Sequence, residues 1–221
     1  MYKKALVADD VDLNDIAVVQ VMKELGITTI EYAKYCDDAI LKIKKGIHDG
    51  EPYELLITDL SFKSDYKNSV LASGEELIAV TKKLNTSIKI IAFSIEDKSF
   101  RIKALFERYA VDGFVLKGRR SIEELRVAIK KVYDNTTFIS PEVEHVLKEN
   151  SPNVIDDFDI KLLGYLSNGI AQEAMEATLK SEGITPNSKS TVEKRIAKLK
   201  DCLKANNTIH LVAIAKDLGI I

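Results

Sequence analysis

The sequence predicts a doubly wound parallel α/β sheet followed by an all-α domain, and three observations carry that prediction. Short apolar runs at 5–8, 55–58, 88–93 and 113–116 read as buried parallel strands. Stretches of helical periodicity separate them, and such alternation with short connections is the pattern of a parallel sheet with helices on both faces. Beyond about residue 155 the periodicity is helical throughout.

Element by element, strands are expected at 4–8, 28–32, 54–58, 88–93 and 112–116, making a five-stranded sheet, with helices at 12–25, 37–47, 74–84, 98–109 and 121–133. Gly26, Gly46 and Gly113 punctuate element ends, as C-caps and tight turns require. Asp134 to Thr137 close the first domain, Ser140-Pro141-Glu142 can open a short helix to about Lys148, and Glu149 to Asn153 form a turn-rich break. The last four helices are expected at 156–168, 170–181, 188–203 and 207–218. The expected domains are therefore 1–135 and 156–221, joined by a linker at 136–155.

A chain of 221 residues with 46% hydrophobic residues has room for two packed cores. Cys36 and Cys202 fall in separate domains without CxxC spacing, which supports neither a zinc site nor a disulfide framework. A reducing cytoplasm is the expectation. Met1-Tyr2-Lys3-Lys4 leads straight into the first strand, and no run approaches ~18 apolar residues, so no membrane association is expected. His48, His145 and His210 have no second His or Cys nearby in sequence, and none is assigned to a metal.

Asp9, Asp10, Asp59, Ser94 and Lys117 stand where four of the apolar runs stop. An open α/β sheet places its working residues beyond the carboxyl ends of its strands, so these five converge. Taken singly, each reads as an ordinary loop residue; together they describe a phosphate-transfer site. Three close carboxylates repel one another and imply a bound divalent cation, Mg2+ by its oxygen preference. Asp59, alone at its strand end, is placed to attack a phosphoryl group and form an acyl phosphate. The new oxygens would be neutralised by the metal, by Lys117 and by the Ser94 hydroxyl.

At these residues the first 135 positions resemble the flavodoxin-like receiver domain of two-component response regulators. The resemblance makes Asp9 and Asp10 the acidic metal pair, Asp59 the phosphorylated aspartate, Ser94 the Ser/Thr of the family and Lys117 its lysine. It makes Phe114 the switch aromatic, and the main-chain carbonyl of Ser61 a further metal ligand. Three positions depart from the pattern. Leu60 to Ser73 form a long polar loop, a lid or partner surface or else a tolerated insertion, and the usual glycine is delayed to Gly74. Ile95 is expected to narrow the pocket for water and small phosphodonors. Gly118 replaces a common proline, a variation shared with NarL-type and RcsB-type regulators.

In the C-terminal part, residues 187–204 carry six basic side chains against two acidic ones, which concentrates positive potential on one helix. On charge alone that is equally a solvated helix face. From Ser188, the run through Thr191-Val192, Leu203 and Asn207 is similar to the recognition helix of LuxR-type helix-turn-helix domains. Leu162-Leu163, Leu166 and Asn168-Gly169 resemble that family's first helix and turn. The chain is thus identified as resembling the NarL/FixJ, RcsB-like response regulators, with about six residues inserted around Lys180 to Asn187. The resemblance implies that Lys189, Ser190, Lys194 and Lys198 touch DNA, while Thr191, Val192, Ile196, Leu199 and Leu203 pack inward. Glu193 stands where the family commonly has a DNA-contacting lysine.

The expected partners are a histidine kinase or phosphotransfer protein, double-stranded DNA and a second copy of the chain, since one helix-turn-helix reads too few base pairs to be selective. Helix 207–218, with Ile209, Val212, Ala213 and Leu218 on its apolar side, either supplies a dimer contact or closes the domain core. No separate enzymatic site is legible, so the expectation is a regulatory phosphoacceptor that promotes only its own phosphorylation and dephosphorylation. A competing class is a signalling protein whose helical domain binds a protein instead of DNA, which Glu193 and the inserted turn favour.

Overall fold

The computed structural model describes residues 1–10, 12–62, 70–85, 87–144 and 155–221, with only the backbone of 12–16. The chain divides into two compact units, one of residues 1–97 and 102–146, which carries the sheet, and one of residues 98–101 and 147–221. Among the described residues no helix is long and apolar enough to cross a membrane.

The first unit runs β1 Lys4–Ala8, α1 Asp12–Glu24, β2 Thr29–Ala33, α2 Cys36–His48, β3 Leu55–Thr58, α3 Gly74–Leu84, β4 Lys89–Ser94, α4 Ser99–Glu107, β5 Gly113–Leu116, α5 Ser121–Tyr133 and β6 Phe138–Ile139. The strands are parallel in the order β2-β1-β3-β4-β5-β6. The expected doubly wound sheet is present, but among the described residues it has six strands rather than five. Phe138 and Ile139 pair with Gly113 and Phe114 as the chain returns from α5. Two residues are too few to show a strand period, which is why 136–140 read as linker.

Alternation within the central strands feeds two cores. Ala5, Val7, Leu55 and Ile57 pack on one face with α1 and α5, while Leu6, Ala8 and Leu56 pack on the other with α2 and α3. The helices meet the sheet through residues three and four apart, such as Ala39, Ile40 and Ile43 of α2 and Leu125, Ala128, Ile129 and Val132 of α5. Acidic first turns and basic last turns on α2, α3 and α5 complement the helix dipoles.

The expected short helix after Ser140 is a 3-10 turn at Pro141–Val143, and its continuation toward Lys148 lies outside the described residues. The second unit contains α6 Asp157–Ser167, a 3-10 turn Gln172–Ala174, α7 Met175–Ser181, α8 Lys189–Cys202 and α9 Thr208–Asp217. The single helix expected at 170–181 is therefore broken near Ala174. Leu162, Leu163, Met175, Leu179, Val192, Ile196, Leu199, Leu211 and Ala215 form its core. Side-chain caps open three helices: Asp156 and Asp159 form a reciprocal capping box on α6, Ser188 caps α8 and Asn207 caps α9. On α9 the core face is Leu211 and Ala215, whereas Ile209 is 84% exposed.

Candidate functional site

β1 lies between β2 and β3, the place where the strand order reverses and where a crevice opens beyond the strand ends. Asp9 follows the end of β1 and Asp59 follows the end of β3. Their amides extend the sheet pairing, Asp9 N donating to the Ala33 carbonyl at 3.2 Å and Asp59 N to the Ala8 carbonyl at 2.9 Å. Ser94 is the last residue of β4, and Lys117 follows β5. All five residues predicted from the sequence come together.

Asp59 is 6% exposed, and both of its carboxylate oxygens are engaged. Oδ1 accepts from the Ser94 hydroxyl at 2.6 Å, from Leu60 N at 2.6 Å and from Ser61 N at 3.2 Å. Oδ2 accepts from Lys117 Nζ at 2.5 Å, and the same ammonium donates to Asp9 Oδ2 at 2.7 Å. Burial acts against the Lys117 charge, yet the hydrogen bonds to Asp59 and Asp9 outweigh it and hold the proton above the ordinary value of 10.5. The Phe93 ring lies 5.2 Å from the ammonium.

Carboxylate oxygens of Asp9, Asp10 and Asp59 lie within 4.8 Å of one another. Lys117 bonds two of the three, Asp9 and Asp59, and three carboxylates drawn this close together form a site that a divalent cation would suit. The donors are hard oxygens, so the residues fit Mg2+. Ser61 is drawn toward the cluster through its amide.

Phe114 is fully buried in the core, and the Ser94 hydroxyl already points at Asp59. Ile95 is 70% exposed, which does not support the expected narrowing of the pocket by its branched side chain. A Cβ at Gly118 would meet nothing within 4 Å, so crowding does not require glycine there. Gly74 is the opposite case: a Cβ would lie 2.0 Å from the Asp59 carbonyl oxygen and 2.7 Å from Leu60 Cα. The displaced glycine of the sequence is thus needed for the backbone of α3 to approach Asp59 and Leu60.

On α8, Lys189, Ser190, Lys194 and Lys198 are exposed, as a contact surface requires. Val192, Ile196 and Leu199 are buried, while Thr191 and Leu203 are only partly so. Lys189 Nζ lies 4.0 Å from Glu193 Oε1, so part of the positive charge at the start of the helix is offset locally. Arg195 is turned inward: it bonds to Asp156, its Nε lies 3.0 Å from Asp159 Oδ1, and its guanidinium sits over the Phe158 ring. In sequence Arg195 belongs with the other basic residues of α8, and the placement of the α6 capping box turns it inward.

No protein-family model matches the chain, and no curated protein does. Solved structures do match. The two-component response regulator RcsB in complex with DNA superposes with a TM-score of 0.66 at 17% identity, over 99% of this chain and 100% of that one. RcsB from Salmonella enterica serovar Typhimurium, bound to promoter P1flhDC in the presence of phosphomimetic BeF3-, gives 0.65 at 17% identity over 98% of each chain. The isolated REC domain of RcsB from the same organism gives 0.55 at 20% identity, over 66% of this chain and 99% of that domain. The chain therefore has, over its full length, the fold of the response regulator RcsB, a receiver followed by a C-terminal helical domain.

Proposed function

We propose that the protein is a response regulator in which Asp59 accepts a phosphoryl group from the phosphohistidine of a kinase or phosphotransfer protein. The observation that supports this best is the single carboxylate at the β3 end, held by Lys117 on one oxygen and by Ser94 on the other, beside Asp9 and Asp10. Asp9, Asp10, Asp59 and the Ser61 carbonyl would hold Mg2+, which when bound neutralises the oxygens of the transferring group. The residues of the chain do the rest. The Leu60 and Ser61 amides and the Ser94 hydroxyl orient Asp59 for in-line attack, and Lys117 places a fixed positive charge where a phosphoryl oxygen arrives. On this reading the protein is a cytoplasmic regulatory phosphoacceptor that promotes only its own phosphorylation and dephosphorylation. Asp59→Asn is the test: it should abolish labelling by a phosphohistidine donor while leaving the fold intact. Label persisting on the variant would overturn the assignment.

For the helical domain we infer double-stranded DNA as the ligand, bound by a dimer through Ser190, Lys194 and Lys198 with Lys189 beside them. Support comes from the exposed basic side of α8 and from the fold shared with the DNA-bound structures. Binding to genomic fragments at two salt concentrations tests it, because phosphate-dominated affinity must fall as salt rises. Two observations favour a protein ligand instead, namely the Lys189–Glu193 pair and the inward Arg195. Salt-independent or absent DNA binding would leave that reading.

A further inference from the structure

We propose that Asp37, in the first turn of α2, is a positioning residue for the phosphoacceptor. It would act through residues 70–74, which lead into α3, and the proposal rests on the phosphoacceptor reading of Asp59. The Asp37 carboxylate accepts two consecutive main-chain hydrogen bonds, Val70 N to Oδ2 at 2.9 Å and Leu71 N to Oδ1 at 3.0 Å. A carboxylate bridging two adjacent amides fixes both the position and the direction of the strand it holds.

What it holds leads directly to Asp59. Beyond Leu71, the Ala72 amide donates to Glu76 Oε2 at 2.8 Å, and Ser73 caps α3 through the Glu76 amide at 3.3 Å. The next residue is Gly74, whose amide donates to the Leu60 carbonyl at 2.9 Å and whose Cα lies against the Asp59 carbonyl. Leu60 in turn donates its amide to Asp59 Oδ1. Residues 60 and 74 are therefore locked together beside Asp59, and Asp37 ties residues 70 and 71 to α2. Leu71 and Phe62 pack on the same core. This backbone holds the Leu60 and Ser61 amides in place, and they are two of the donors that orient the attacking carboxylate.

The test compares full-length wild type with Asp37→Asn and Asp38→Asn in Mg2+. Asp38 is in the same helical turn, is exposed and lies at the same dipole end, so it controls for charge alone. Asp37→Asn replaces one acceptor with an NH2 that opposes an amide. It should slow phosphorylation by acetyl phosphate by about tenfold or more and speed amide hydrogen exchange at Leu60, Ser61 and Gly74. Asp38→Asn should do neither, and Asp37→Glu should restore part of the rate. Equal effects of the Asp37 and Asp38 changes, or unchanged exchange at residues 60, 61 and 74, would overturn the proposal. If Asp37→Asn does not fold, Val70→Pro removes one of the two donors at an exposed position and must reproduce both effects. Wild type that takes no label would count against the phosphoacceptor reading alone, because the exchange measurement judges the clamp without phosphate.

Discussion

The Ser94 hydroxyl donates to Asp59 Oδ1 at 2.6 Å, on the oxygen that the Leu60 and Ser61 amides also hold. Phe114 is fully buried, so the hydroxyl is drawn to Asp59 while the aromatic lies inside. If Asp59 is phosphorylated as proposed, the phosphoryl group would compete for that hydroxyl, and the exchange would carry the change to β4 and β5. Sedimentation with a beryllofluoride mimic should show increased self-association in wild type and a much smaller increase in Ser94→Ala. Equal responses in the two proteins would remove Ser94 from the signalling route.

Removing the cation should silence the site. With chelator present, or in Asp10→Ala, labelling of Asp59 should fall by at least ~100-fold, because the transferring group loses its main neutralising charge. Binding of Mg2+ followed by calorimetry should fail in the same variant. Full labelling in chelator would mean that the three carboxylates serve another purpose.

Lys117 makes stability depend on alkaline pH with a definite sign. Its proton is held more tightly in the folded chain than in the unfolded one, so its contribution is complete below 10.5 and is lost as pH rises through the elevated folded value. The buried Tyr2 and Tyr53 phenols, also raised chiefly by burial, weaken the fold in the same direction. The informative quantity is therefore the difference between wild type and Lys117→Met in urea melts between about pH 9 and 12, measured without Mg2+. That difference should shrink as pH rises; a constant difference would show that the two ion pairs add nothing to folding.

For the helical domain, Lys194→Ala and Lys198→Ala should each weaken DNA binding. The expected cost is ~1–3 kcal/mol where the lysine reads a base edge, or a flatter salt dependence where it meets phosphate. Lys189→Ala should cost less, because Glu193 lies 4.0 Å from its ammonium. Glu193→Lys should raise affinity for all sequences if the carboxylate only repels phosphate, and should blunt sequence preference if it reads cytosine. Polarisation assays at low salt that register none of these changes would transfer the domain to a protein ligand.

The five site residues were legible because each terminates a strand, and strand ends in a parallel sheet converge whatever lies between them. Helices α3 and α5 begin and end where periodicity and caps place them. Less visible were features that depend on distant pairing. β6 is two residues long and is defined by its neighbour. Asp37 meets residues 33 and 34 positions away, with no local pattern to announce it. Ile209 reads as apolar helix face, yet the register of α9 turns Leu211 and Ala215 inward and leaves Ile209 out. In each case tertiary packing decided between local alternatives that the sequence leaves equal.

Arg195 is the sole arginine in residues 151–221, and it is bound internally to Asp156 and Asp159. The planar fork that matches guanine edges, phosphates and carboxylates two bonds at a time is therefore withheld from the outer surface of α8. That surface offers compact ammonium groups on flexible stems. A ligand meeting it would encounter strong but loosely directed attraction, and angular discrimination would have to come from Ser190, from Glu193 or from the shape of the ligand itself.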